Sequence, residues 1–169
     1  MRLLSALILA SSLTPRSLPE RARIADRVVV AQVLSTRTEV PGGDVRKMLT
    51  HTEVVVGDVL KGPAGAALDR ITITQLGGRS GLWESHVPGD ATFRPGETAL
   101  LLLKCSEAPN RCGLVGLAEG KVLFVGNDAF VYDLARDQYA RRPVGLLLDE
   151  VRQAVTSTPV VPPARGVTR

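Results

Sequence analysis

Glu97-Thr98-Ala99-Leu100-Leu101-Leu102-Leu103-Lys104 is an unbroken apolar run of strand length, bounded by a charged residue at each end. Successive side chains of a strand point to opposite faces, so consecutive leucines supply apolar groups to both. The run therefore predicts a central strand buried on both sides. Upstream, Arg70-Ile-Thr-Ile-Thr-Gln-Leu76 alternates cleanly, with Ile71, Ile73 and Gln75 on one face and the threonines on the other. Further upstream, residues 26–38 carry the run Val28-Val-Val-Ala-Gln-Val-Leu34, and residues 45–60 carry the β-branched stretch Thr50-His51-Thr52-Glu53-Val54-Val55-Val56. Pro41-Gly42-Gly43-Asp44 between them is a turn signal, so the pair reads as a hairpin. Lys61-Gly-Pro-Ala-Gly65 breaks the pattern, and residues 77–94 read as a long glycine-rich loop. Downstream of the leucines, residues 113–125 form a strand region interrupted by Gly116 and Gly120. Gly126-Asn127-Asp128 is a turn, and residues 129–134 a closing strand.

Helices are expected at both ends. Ser17-Leu-Pro-Glu20 has the cap, the first-turn proline and the acidic residue of a helix start, for a helix reaching about residue 25. Val144, Leu147, Leu148, Val151 and Val155 mark an amphipathic helix over residues 143–155. From residue 156 onward Pro159, Pro162 and Pro163 indicate a disordered tail. Several short strands between Gly and Pro turns predict a mainly β fold: a small five- to six-stranded OB-like barrel, with a short N-terminal helix and a C-terminal amphipathic helix, as one domain over residues 17–155. Gly57, Gly116 and Gly120 are placed where strands can bend at a corner.

The 169 residues are 44% hydrophobic but only 4% aromatic, so Val, Leu, Ile and Ala must fill the core. The net charge of +4 does not imply nucleic acid. The basic residues are scattered among acidic ones, with Arg21/Arg23 and Arg141/Arg142 the densest spots, and no platform combines aromatic with basic residues.

The N-terminus, Met1-Arg-Leu-Leu-Ser-Ala-Leu-Ile-Leu-Ala-Ser-Ser12, sets one positive charge before a short apolar run and then small residues. This is the layout of a secretory signal peptide over residues 1–12. The rival reading is a buried N-terminal helix or strand. The run is too short to span a bilayer, so no transmembrane segment is expected after cleavage. Cys105-Ser-Glu-Ala-Pro-Asn-Arg-Cys112 holds the two cysteines, with Pro109 and Asn110 as turn formers between them. The spacing predicts a disulfide between Cys105 and Cys112 at the tip of a β-hairpin, which agrees with export to an oxidising compartment. Half of a metal site is the alternative, but two thiols without further ligands fall short of a structural zinc set.

Ala25-Asp-Arg-Val-Val-Val-Ala-Gln-Val33, Glu53-Val-Val-Val-Gly-Asp-Val-Leu-Lys-Gly62, Phe93-Arg-Pro-Gly-Glu97 and Val115-Gly-Leu-Ala-Glu-Gly-Lys121 occur in this order. Over residues 20–135 the order resembles a group of uncharacterised exported bacterial proteins. More distantly, it resembles the netrin-like domain, the barrel of tissue inhibitors of metalloproteases. The resemblance implies a barrel and, as an expectation, a protein partner such as a secreted protease. One departure matters: those inhibitors chelate zinc through a cysteine at the mature N-terminus, and this chain has no cysteine before Cys105. That mechanism cannot be carried over, and inhibition would have to run through a loop.

Residues 77–90 are the candidate binding segment, with Arg79, Trp83, Glu84 and His86 as the named residues. The segment is long and glycine-rich and contains the chain's single Trp. Trp83 is expected either to contact a partner or, the favoured reading, to fold back and plug the barrel. A nucleophilic set of Ser80 or Ser85 with His86 and Asp90, or a zinc site of Glu84, His86 and Asp90, would need geometry that sequence adjacency does not supply. His51, between threonines of a strand, is expected at the surface or an edge. Glu119 is read as structural, pairing with Lys121 or accepting backbone hydrogen bonds. No catalytic residue, metal ligand or cofactor is assigned. The sequence thus favours an exported, non-enzymatic binding module. The alternatives are a structural envelope-associated domain and a hydrolase using the 77–90 loop.

Overall fold

Helix α1 (Leu18–Ile24) leads into β1 (Arg27–Glu39), β2 (Leu49–Lys61), β3 (Arg70–Leu76), β4 (Gly78–Ser80), β5 (Trp83–Ser85), β6 (Thr98–Cys105), β7 (Arg111–Leu114), β8 (Lys121–Val125), β9 (Asp128–Asp133) and β10 (Gln138–Pro143), and helix α2 (Val144–Thr156) ends the order. The structure is a computed structural model and describes residues 16–63, 69–106, 111–133 and 135–157. The segment read as a signal, residues 1–12, lies outside the described residues, as do residues 158–169 of the tail. Among the described residues no helix is long and apolar enough to cross a membrane.

Five strands close into an OB-like barrel, in the order β1-β2-β3-β7-β6 and back to β1. Every junction is antiparallel except β3–β7, which is parallel and joins only Thr72 to Arg111 and Ile73 to Cys112. The long strands β1 and β2 bend through three register shifts, near Val28, Val30 and Val33. One of these leaves Gly57 unpaired opposite the step from Val30 to Ala31. Bulges of this kind supply the curvature that closure requires.

The leucine run behaves as its alternation demands. Leu101 and Leu103 point into the barrel with Val29, Ala31, Val33, Val54, Val56, Ile71 and Ile73. Leu100 and Leu102 point outward into a second core made with Leu18 and Ala22 of α1, Val122 and Ala129 of the β8–β9 hairpin, and Leu147 and Val151 of α2. All four leucines have no solvent exposure. Strands β8, β9 and β10 extend from β6 as a meander, and α2 follows β10 directly.

The second core is trimmed by polar clamps. Ser17 and Glu20 form the capping box at the start of α1. Lys61 Nζ donates to the carbonyls of Arg23 and Ala25 at its end, at 2.6 and 2.7 Å, where a cation suits the helix dipole. Between β7 and β8 the chain leaves the sheet for residues 116–120, because Val115 still bonds to Leu102 while Lys121 is already opposite Leu101. Gly116 turns this excursion with φ of 75°. Gly120 is required by space, since an added Cβ would lie 2.6 Å from the Val115 carbonyl oxygen. Beneath it, buried Arg21 donates to the Glu119 carbonyl and lies 3.7 Å from the Glu119 carboxylate.

Three expectations are corrected. The second strand starts at Leu49, because the Asp44 side chain accepts from the Arg46 amide and winds residues 45–47 into a single turn. The 77–94 stretch contains the small hairpin β4–β5. β10 is a strand where the sequence carries no strand signal, because an exposed edge strand reading Gln-Tyr-Ala-Arg-Arg-Pro has no apolar periodicity.

Cys105 and Cys112 are register partners on β6 and β7 and form a disulfide. It holds β7 against β6 beside the short parallel seam with β3. Reduction is expected to cost about 2 kcal/mol of stability and to speed amide exchange first at residues 111–114. Denaturant unfolding and hydrogen exchange, with and without reductant, check this.

Asp26 accepts from Lys104 Nζ at 2.8 Å and from the Cys105 amide at 3.0 Å, and these bonds, the lysine's first, lower its pKa. A carboxylate with a lowered folded-state pKa stabilises the fold above its unfolded value of about 4 and loses that effect as pH falls through the lowered value. Asp26→Asn should therefore be less stable than wild type at neutral pH. The difference between the two should shrink in acid, as read from unfolding curves at stepped pH.

Candidate functional site

The open end of the barrel is built by an overhang. β1 pairs with β6 only from Arg27 to Gln32, yet β1 runs on to Glu39 beside β2, which in turn pairs with β3. Inward-facing positions in this extension follow from the register. Val33, Val54 and Ile71 form one layer, Thr36, Thr52 and Ile73 the next, and Thr38, Thr50 and Gln75 the last. The interior thus changes from aliphatic to hydroxyl and amide toward the mouth. On the outer face, His51 is buried. Its Nδ1 bonds to Thr74 Oγ1 at 3.0 Å and its Nε2 to Glu39 Oε2 at 2.9 Å. The expectation of a surface histidine is overturned, because three strands cross here and the imidazole bridges them.

The hairpin β4–β5 folds against this overhang. Gly77 and Gly78 permit it: a Cβ on Gly77 would meet the Ser85 carbonyl oxygen at 2.5 Å, and one on Gly78 would meet the Thr38 and Thr50 side chains at 2.7 Å. The Arg79 amide donates to Thr38 Oγ1 at 3.3 Å. Gly81, with φ of 59°, opens the two-residue turn that puts Leu82 at the tip.

A cavity of about 250 Å³ lies between overhang, hairpin and the following loop. Of the four residues singled out from sequence, Arg79, Glu84 and His86 line it and Trp83 does not. Trp83 is 63% exposed on the outside of the hairpin, so it does not plug the barrel. The ring that packs against the interior core at this end is Phe93. Lys121 Nζ sits 4.7 Å above its centroid, donates to the Thr92 carbonyl at 2.5 Å and pairs with the Glu97 carboxylate at 2.6 Å. Burial of a charge requires such a set of partners.

Ser85, His86 and Asp90 all border the cavity. No hydrogen bond links them among the described residues, and Asp90 Oδ1 accepts from the Ala91 amide instead. Among the described residues no three His, Cys, Asp or Glu side chains are placed to share a metal ion. The sequence reading missed Thr52, Phe93 and the Lys121–Glu97 pair. The signal for the first was the T-x-T spacing at Thr36/Thr38 and Thr50/Thr52, which is inward by parity. Nothing local marked the other two.

The sequence matches no protein-family model and no curated protein.

The Lys121–Glu97 pair fastens the 92–97 turn to β8. Lys121→Met leaves a poorly solvated carboxylate and is expected to cost about 3–5 kcal/mol. Adding Glu97→Gln should return part of that loss, as read by urea unfolding of the single and double variants.

Proposed function

We propose that this chain is an exported, non-enzymatic binding module whose partner is a protein engaged through the β4–β5 hairpin. The observation that carries the reading is the hairpin tip. Leu82 is fully exposed and its neighbour Trp83 is 63% exposed. Large apolar side chains clustered on a short, glycine-anchored hairpin form a compact patch of the kind used for protein contact. Trp is also enriched where binding energy concentrates. Arg79 and Glu84, paired across the two strands, supply a polar flank.

Export is supported by the Cys105–Cys112 disulfide, which persists in oxidising compartments, together with the charged, apolar and small-residue order of residues 1–12. The netrin-like resemblance, with the OB-like barrel, favours a secreted protease as the partner. With no cysteine before Cys105, inhibition would work by insertion of the hairpin rather than by chelation through the chain's amino group.

A photo-crosslinking residue at position 82 is expected to capture one discrete protein from the exported fraction, while the same probe at exposed Leu146 on α2 captures none. Trp83→Ala should weaken that complex by about 2 kcal/mol, roughly thirtyfold in Kd, with an unchanged unfolding transition. Equal capture at both positions would refute the proposal.

A further inference from the structure

The cavity at the mouth holds a second surface, separate from the hairpin tip, and its chemistry differs. Thr52 is fully buried, faces the cavity, and its Oγ1 has no hydrogen-bond partner. A buried hydroxyl without a partner is costly to maintain, and buried polar groups are satisfied in nearly every fold. Its neighbours are half-used. Thr50 Oγ1 donates to the Gly77 carbonyl at 2.9 Å, and the Gln75 amide nitrogen donates to the Ala91 carbonyl at 2.8 Å. These bonds leave the Thr50 lone pairs and the Gln75 carbonyl oxygen as acceptors. Thr36, Ser85 and His86 complete a lining that both donates and accepts.

Charge narrows the ligand class. Arg79 is opposed by Glu84 and Asp90 around the rim, so no net positive field draws an anion. A volume of about 250 Å³ falls below the roughly 300–1,000 Å³ of drug-sized sites, which fits one small ring and not a chain. Groups that both donate and accept, set on a ring with an apolar face, match hydroxyls on one side and the Phe93 edge of the core on the other.

We propose that the barrel mouth binds a small neutral polyhydroxy ring, a single sugar unit, with the Thr52 hydroxyl as its buried anchor. This goes beyond the protein-binding reading and does not involve the apolar hairpin tip, Leu82 and Trp83. The unit can come from a free monosaccharide or from the end of a glycan. The two sources present the same chemistry to the site.

Methyl-labelled threonine spectra of the wild-type chain, titrated with glucose, galactose, N-acetylglucosamine and their oligomers, provide the test. Shifts confined to Thr36, Thr50, Thr52 and Thr92, with Thr72 and Thr74 unmoved, are expected for at least one sugar. An oligomer that binds tighter than its monomer assigns the site to a glycan end, and equal binding assigns it to the free sugar. Thr52→Val keeps the shape, should unfold at the same or a higher temperature, and should weaken binding about five- to tenfold. Leu82→Ser with Trp83→Ser should leave sugar binding intact, so failure of the hairpin reading is separable. The proposal is overturned if no sugar moves these methyls, if Thr52→Val binds as tightly as wild type, or if that variant is destabilised.

Discussion

Strand β6 must satisfy two cores at once, and the rest of the fold follows from that demand. Its inward leucines, Leu101 and Leu103, fill the barrel, while Leu100 and Leu102 need cover on the outside. Without α1, α2 and the β8–β9 hairpin, an apolar stripe on the barrel wall would face water. Full burial of a Leu side chain contributes about 1.5–3 kcal/mol, so leaving two of them exposed would forfeit a large share of the few kcal/mol that separate folded from unfolded chains. β1 meets the same demand beside it, with Val28 in the outer core and Val29 in the inner one. The helices therefore cover the barrel wall and are not appendages to a self-sufficient barrel.

The same strand also explains where the polar lining of the barrel mouth lies. β6 pairs with β1 only as far as Gln32, whereas the β1-β2-β3 sheet continues past it. Beyond that point the inner face has no opposite wall, and aliphatic side chains there would meet water. The inward positions accordingly become Thr36, Thr38, Thr50, Thr52 and Gln75. What covers them is polar and sparse: the hairpin, and a loop fixed by Phe93 and Lys121. Length mismatch between strands thus converts a closed barrel into a barrel with a lined cup at one end.

Much of the fold was legible because its determinants are local and periodic. The leucine run announced burial on both faces, Ser17 and Glu20 announced a cap, and the apolar spacing of Val144 to Val155 announced α2. The cysteine spacing announced the hairpin disulfide that joins β6 to β7. What could not be read depends on long-range pairing. His51 looks like a surface residue until Glu39 and Thr74 are brought to it from two other strands. Lys121 reads as a partner of Glu119, two residues away, but the fold gives it Glu97 and the Thr92 carbonyl and gives Glu119 to Arg21. Trp83 reads either as a contact residue or, by preference, as a plug for the barrel, but a two-residue turn opened by Gly81 carries it outward. β10 carries no apolar alternation because it is an edge strand with both faces wet.

The glycine pair ahead of the hairpin ties these observations together. Gly77 and Gly78 are adjacent, yet each excludes a side chain for a different reason: the first against the hairpin's own backbone at Ser85, the second against Thr38 and Thr50 of the overhang. The hairpin is therefore pressed both onto itself and onto the sheet. That double contact fixes Glu84 and Ser85 over the cavity while Leu82 and Trp83 point away from it. A single small element, set by two residues without side chains, thus presents an apolar tip to solvent and a polar wall to the cup. Arg79 and Glu84 border both surfaces, but Leu82 and Trp83 belong to the tip alone and Thr52 to the cup alone, so each surface can be altered through its own residues.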